Sequence, residues 1–159
     1  MENAYIFDLD NTLYSVPYFN NSLPPNLYDL LPRDLELRNL LLQLKKTYIF
    51  TNGNACHLEM CMNKMGLRGC FIDATYRDIF KNKLKPLLYP YIISFYQFNL
   101  QNKNVFFFED SLSNLRTAKC MGWNTIYINK LLPRDKPLFV DYMFNDIKTA
   151  IKFIGNVNK

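Results

Sequence analysis

The sequence predicts an α/β fold: a doubly wound, Rossmann-like parallel sheet flanked by helices. Three observations carry that expectation. Short apolar runs suited to buried strands alternate with helical patterns from end to end. Three of those runs stop abruptly at turn-forming residues, at Asn11-Thr12, Thr51-Asn52-Gly53 and Asp110-Ser111. Polar and acidic side chains gather at these strand exits, the edge where open α/β sheets place their ligands.

The elements follow in order. Residues 3–8 read as a first strand, closing on Tyr5-Ile6-Phe7. Residues 14–32 break the pattern with Pro17, Pro24, Pro25 and Pro32, an irregular insertion directly after an acidic pair. From Arg33 to Lys46 leucines recur at helical spacing. Asp34 and Glu36 sit at the expected start of that helix and Lys45-Lys46 at its end, matching the helix dipole. Tyr48-Ile49-Phe50 is a second strand, followed by a helix to about Met65 that Gly66 closes. Residues 71–75 form a weaker third strand. A helix with Pro90 in its first turns comes after Lys85-Pro86. Asn104 to Phe108 is the clearest buried strand and runs straight into Glu109-Asp110-Ser111. A helix to Met121, a strand at 125–128, a short strand after Leu138 and a helix capped by Asn145 complete the chain. With 159 residues, it reads as one domain, 1–159, able to bury a sizeable core.

Composition narrows the function classes. Apolar residues make up 49% and the net charge is +5, with the lysines scattered. No basic stripe interleaved with aromatics is visible, so nucleic acid is not the favoured partner. Cys56, Cys61, Cys70 and Cys120 form no metal-binding spacing and read as buried or half-buried thiols of a reducing compartment. His57 has no recognisable orienting acid in sequence and is expected as a surface or helix-packing side chain. No signal peptide or membrane-spanning run is apparent, and the expectation is a soluble cytoplasmic protein.

Asp8 and Asp10 are the most informative residues. They stand two apart where the first strand ends, so both can reach one strand-exit crevice. Two carboxylates this close repel unless a cation lies between them or one holds a proton. That points to an attacking carboxylate, a second carboxyl for proton transfer, and a divalent metal. Each acid also has a bland reading: Asp10 could hold a turn, Asp110 could cap the next helix, and Thr51 could cap the helix after the second strand.

Four elements in order resemble the haloacid dehalogenase superfamily, whose members are mostly phosphatases. They are Asp8-Leu9-Asp10-Asn11-Thr12-Leu13, Thr51-Asn52-Gly53, Lys85-Pro86 and Glu109-Asp110-Ser111. The stretch from Leu23 to Arg38, with Thr75-Tyr76-Arg77-Asp78 and with Asn114, Gly122 and Trp123, is similar to the pyrimidine 5′-nucleotidase branch. Relatives in that branch carry a helical cap of several dozen residues where this chain has only 14–32.

The resemblance implies roles. Asp8 would attack phosphorus and Asp10 would protonate the leaving oxygen, then take a proton from water. Mg²⁺ would be held by the Asp8 carboxylate, the Asp10 carbonyl and Asp110, with Glu109 as a direct or water-mediated helper. Thr51 and Asn52 would bind phosphate oxygens, and Lys85 would neutralise charge on Asp8 and phosphate. The substrate would be a small phosphorylated molecule, pyrimidine nucleoside 5′-monophosphates first. An uncapped site also admits a nucleic-acid end or a phosphoprotein, and residues 14–32 or a second subunit would supply a lid. Dehalogenation, phosphomutation, and a non-catalytic binding protein on the same fold are the other readings.

Overall fold

The computed structural model describes residues 1–157 except Phe19 and Asn21. Six parallel strands form one sheet in the order β3-β2-β1-β4-β5-β6. They are β1 (Glu2–Phe7), β2 (Thr47–Phe50), β3 (Asp73–Thr75), β4 (Lys103–Glu109), β5 (Asn124–Ile128) and β6 (Tyr142–Phe144). The helices are α1 (Leu35–Gln43), α2 (Ala55–Met65), α3 (Leu88–Gln97), α4 (Leu112–Cys120) and α5 (Ile147–Val157).

β1 and β4 lie side by side at the centre, with Phe7 opposite Phe108. Successive side chains of a strand face opposite sides, so each central strand feeds two cores. Tyr5, Phe7, Phe106 and Phe108 enter the core beneath α1, α2 and α5. Ala4, Ile6, Val105 and Phe107 enter the core shared with α3 and α4. Phe7 stacks on Phe108 with ring centroids 4.5 Å apart, and Tyr5 on Phe106 at 5.5 Å. Fully burying such side chains stabilises by roughly 1.5–3 kcal/mol each. That packing fixes the register of the two strands whose ends carry the acids. From β1 the chain builds outward through β2 to β3, and from β4 outward the other way. The β1/β4 boundary is therefore the topological switch, and its C-terminal end opens a crevice.

Two helix termini differ from the sequence expectation. α1 ends at Gln43 because Leu44 is extended and Lys46 is left-handed (φ 58°), turning the chain into β2. Lys45-Lys46 thus lie past the helix rather than in its last turn. At α5 the Asp146 carboxylate, not Asn145, accepts from the Thr149 N–H, while the Asn145 amide donates to the Lys130 carbonyl. Gly66 closes α2 in a left-handed conformation as expected. Within 14–32 the chain makes a 3₁₀ turn at Leu27–Leu30, with Leu27 and Leu31 buried. No helix among the described residues is long and apolar enough to cross a membrane.

Candidate active site

The site begins where β1 ends. The Asp8 N–H still donates to the Phe108 carbonyl (2.9 Å), so Asp8 is held against β4 although it lies past the strand. Leu9 is fully buried, and the N–H groups of Thr12 and Leu13 both turn back to its carbonyl. Asn11 takes the left-handed conformation (φ 59°) that asparagine tolerates better than most residues. With Leu9 anchored in the core, Asp8 faces the β1/β4 crevice and Asp10 faces the insertion.

Around Asp8 the four motifs converge. The Lys85 ammonium is buried and donates to Asp8 Oδ1 (2.8 Å), Glu109 Oε2 (2.7 Å) and the Phe50 carbonyl (2.9 Å). Three donors meet three acceptors, so the charge is fully engaged. Asn52 sets that lysine by a two-point clamp: its amide donates to the Lys85 carbonyl (3.0 Å) and accepts from the Lys85 N–H (2.9 Å). Glu109 has both carboxylate oxygens occupied. One accepts from the N–H groups of Asp110 and Ser111, and the other from Lys85 and Asn114 Nδ2. Glu109, rather than Asp110, therefore satisfies backbone donors at the start of α4. Thr12 Oγ1 lies between two acids, 3.3 Å from Asp8 Oδ2 and 3.4 Å from Asp110 Oδ1.

Oxygens of Asp8, Glu109 and Asp110 lie within 4.8 Å of one another. Three carboxylates against one ammonium leave two negative charges uncompensated when all are ionised. Burial and the neighbouring Glu109 charge outweigh Lys85 and raise the Asp8 carboxyl to about 7. Burial and Glu109 likewise raise Asp110 to about 8. Burial also works against the Glu109 charge, but Lys85 and the hydrogen bonds around it hold this carboxyl below its ordinary range. The all-oxygen donor set could hold a hard divalent cation such as Mg²⁺.

Asp10 lies in different surroundings. Its Oδ1 accepts from His57 Nε2 at 2.7 Å and from the Tyr14 hydroxyl. Burial opposes the Asp10 charge, but those two hydrogen bonds hold the carboxyl below its ordinary range. The bond to Asp10 raises His57 to about 11, with help from Cys61 and Tyr28 and despite partial burial. His57 is thus not a simple surface or helix-packing side chain, and the sequence reading of it is corrected. The acid it faces is 47 positions upstream, on another element. A Cβ on Gly53 would sit 2.7 Å from His57 Cδ2, so the turn glycine makes room for this ring.

Thr51 is buried, and its Oγ1 accepts from the Gly53 N–H (3.0 Å). Its own hydroxyl proton remains available to a ligand oxygen. The cap of α2 is Asn54, not Thr51. Asp10, His57, Asn52, Gly53 and Asn54 line an open cavity of roughly 350 Å³, flanked on the other side by Val16, Tyr18, Leu23 and Leu27 of the insertion. Arg77 is at its rim and donates to the Asn52 carbonyl (3.0 Å). A second cavity, of about 380 Å³ between α2 and β3, is lined by no residue of the four motifs around Asp8, Thr51, Lys85 and Glu109.

The whole molecule superposes on distant solved structures. An L-2-haloacid dehalogenase from Xanthobacter autotrophicus with chloropropionic acid covalently bound has a TM-score of 0.76 at 14% identity, over 98% of this chain and 99% of that one. A candidate β-phosphoglucomutase from Thermotoga maritima gives 0.71 at 17%, over 99% and 100%. A hydrolase of this fold from Deinococcus radiodurans, with bound phosphate and sodium, gives 0.66 at 12%, over 99% and 96%. At such identities the likeness establishes the fold. The family model for haloacid dehalogenase-like hydrolases matches residues 26–122, spanning the Thr51, Lys85 and Glu109-Asp110 motifs. With more than half its length matched and the fold shared throughout, the chain belongs to the haloacid dehalogenase-like hydrolases.

Proposed function

We propose that this chain is an Mg²⁺-dependent phosphomonoester hydrolase working through a phosphorylated Asp8. The observation that carries this reading is the cluster of Asp8, Glu109 and Asp110, in which the Lys85 ammonium pairs only with Asp8 and Glu109. Both Glu109 oxygens are already engaged, so Asp8 and Asp110 have the free lone pairs, and with the Asp10 carbonyl they would hold the ion. Mg²⁺ supplies the charge that keeps Asp8 ionised and offsets the negative charge of a phosphate ester.

The chain's own groups do the rest. An Asp8 carboxylate oxygen attacks phosphorus, and the bond from phosphorus to the leaving oxygen breaks. Asp10, ionised at rest through its bonds to His57 and Tyr14, would take up a proton as the ester binds and pass it to that oxygen. Water then attacks phosphorus, Asp10 takes its proton, and the Asp8–phosphorus bond breaks to release phosphate. Lys85 fixes the Asp8 rotamer, and the Thr51 hydroxyl and Asn52 N–H bind phosphate oxygens. Losing a single donor of this kind typically costs on the order of 10²–10³ in rate.

The fold is shared by a dehalogenase and by a hydrolase with bound phosphate, so it does not choose between chemistries. The second acid at Asp10 and the uncompensated charge at Asp110 favour phosphoryl transfer. Pyrimidine nucleoside 5′-monophosphates are the first substrates to test, on resemblance. The short insertion leaves the cavity open enough for a phosphate at the end of a larger molecule. The test is phosphate release from nucleoside monophosphates and an aryl phosphate, with Mg²⁺ or EDTA. Metal-dependent release is expected, greatest for UMP and CMP. Release from no ester by a folded, metal-loaded protein would overturn the reading.

A further inference from the structure

The residues around Asp10 come from two sides of the insertion. Tyr14, at its start, donates its hydroxyl proton to Asp10 Oδ1. Tyr28, on the 3₁₀ turn, lies 3.0 Å from His57 Nδ1, and His57 Nε2 lies 2.7 Å from the same Asp10 oxygen. Both nitrogens of the imidazole are therefore engaged, and a ring flip would break both contacts. The arrangement is satisfied in either charge state. Nε2–H donates to the carboxylate, while Nδ1 accepts from the Tyr28 hydroxyl when neutral or donates to it when charged. All these contacts fall on Oδ1. Asp10 Oδ2 has no hydrogen-bond partner among the described residues, and Asp10 lines the cavity where a leaving group would lie.

We propose that the insertion of residues 14–32 orients the proton-transfer acid, with Tyr14 acting directly and Tyr28 acting through His57. His57 and Tyr28 are then positioning residues: they fix Oδ1 so that Oδ2 faces the leaving oxygen and, later, the attacking water. The inference rests on the phosphohydrolase reading and gives the short insertion a task other than covering the site. It also explains why His57 and Gly53 are fitted to one another beside the phosphate-binding turn.

The experiment is a single turnover of 4-nitrophenyl phosphate with excess Mg²⁺-loaded protein, following nitrophenolate and phosphate separately. Nitrophenolate leaves without needing a proton, so its release reports attack by Asp8. Phosphate release reports hydrolysis of the phosphorylated protein, which needs Asp10 to take a proton from water. For Tyr28→Phe and His57→Leu, nitrophenolate release should stay within about 2-fold of the parent, while phosphate release slows by roughly 10-fold or more. His57→Gln, which keeps a donor near Nε2, should recover most of that loss. Equal slowing of both steps would show that Tyr28 and His57 only tie the insertion to α2, and unchanged rates would show no role; either overturns the proposal. Failure of the parent protein to release nitrophenolate would instead overturn the phosphohydrolase reading beneath it.

Discussion

The two acids of the first motif stand two residues apart and occupy opposite electrostatic settings. Asp8 is buried beside Glu109 and Asp110, shares the Lys85 ammonium with Glu109, and its carboxyl is raised. Asp10 is half-buried, bonded to His57 and Tyr14, and its carboxyl is lowered. The first region is short of positive charge and could hold a cation from outside. The second neutralises itself with the chain's own groups. Asp8 is still paired to β4 through its N–H, whereas Asp10, past the buried Leu9, meets Tyr14 of the insertion and His57 of α2. Under the proposed function the first acid would serve as nucleophile and the second as acid–base group, the two parts that a two-step displacement needs.

The largest effect should come from removing the nucleophile. Asp8→Asn should keep the fold by circular dichroism and lower metal-dependent phosphate release by roughly 10⁴-fold or more. A near-normal rate would dissolve the distinction between the two acids. Next in size is the cost of unpairing each region. Lys85→Met leaves buried Glu109 and Asp8 without their cation, so urea denaturation should show a loss of about 3–5 kcal/mol. Removing His57, whose partner Asp10 is partly solvated, should cost only about 1 kcal/mol or less. Equal costs would mean that the two regions do not differ as described.

The comparison sharpens with pH. Asp8 and Asp110 have folded values of about 7 and about 8, above the ordinary 3.8. Between those limits the folded protein binds more protons than the unfolded chain, so this contribution is present below about pH 4 and fades as pH rises through 7–8. Thermal unfolding of metal-free protein should therefore move to lower temperature from pH 5 to pH 8. Mg²⁺ should raise the midpoint more at pH 8 than at pH 5. Smallest is Asp110→Asn, which relieves the repulsion without metal. Its metal-free midpoint at pH 8 should rise by about 2–4 °C per kcal/mol relieved, and its response to Mg²⁺ should vanish.

Much of this was legible in the residues. Alternating apolar runs pointed to the sheet, and Asp8, Asp10, Thr51, Asn52, Lys85, Glu109 and Asp110 do gather at the ends of β1, β2 and β4. Long-range pairing was less visible. Nothing near His57 in sequence marks Asp10 as its partner, and Tyr14 and Tyr28 look like ordinary aromatics of a proline-rich stretch. The division of labour at Glu109 was hidden as well, because it joins the distant Lys85 ammonium to three local donors, the N–H groups of Asp110 and Ser111 and the Asn114 amide. Helix ends shifted for a local reason: Lys46 takes a left-handed turn that leucine spacing does not foretell.

The most direct test of a nucleophilic Asp8 is to look for phosphate on it. Protein mixed with ³²P-labelled substrate and Mg²⁺ would be quenched in acid within the first turnover and digested. Label is expected on the peptide carrying Asp8, lost with hydroxylamine and missing from Asp8→Asn. Steady phosphate release with no label on that peptide at any time in the turnover would contradict a phosphorylated Asp8.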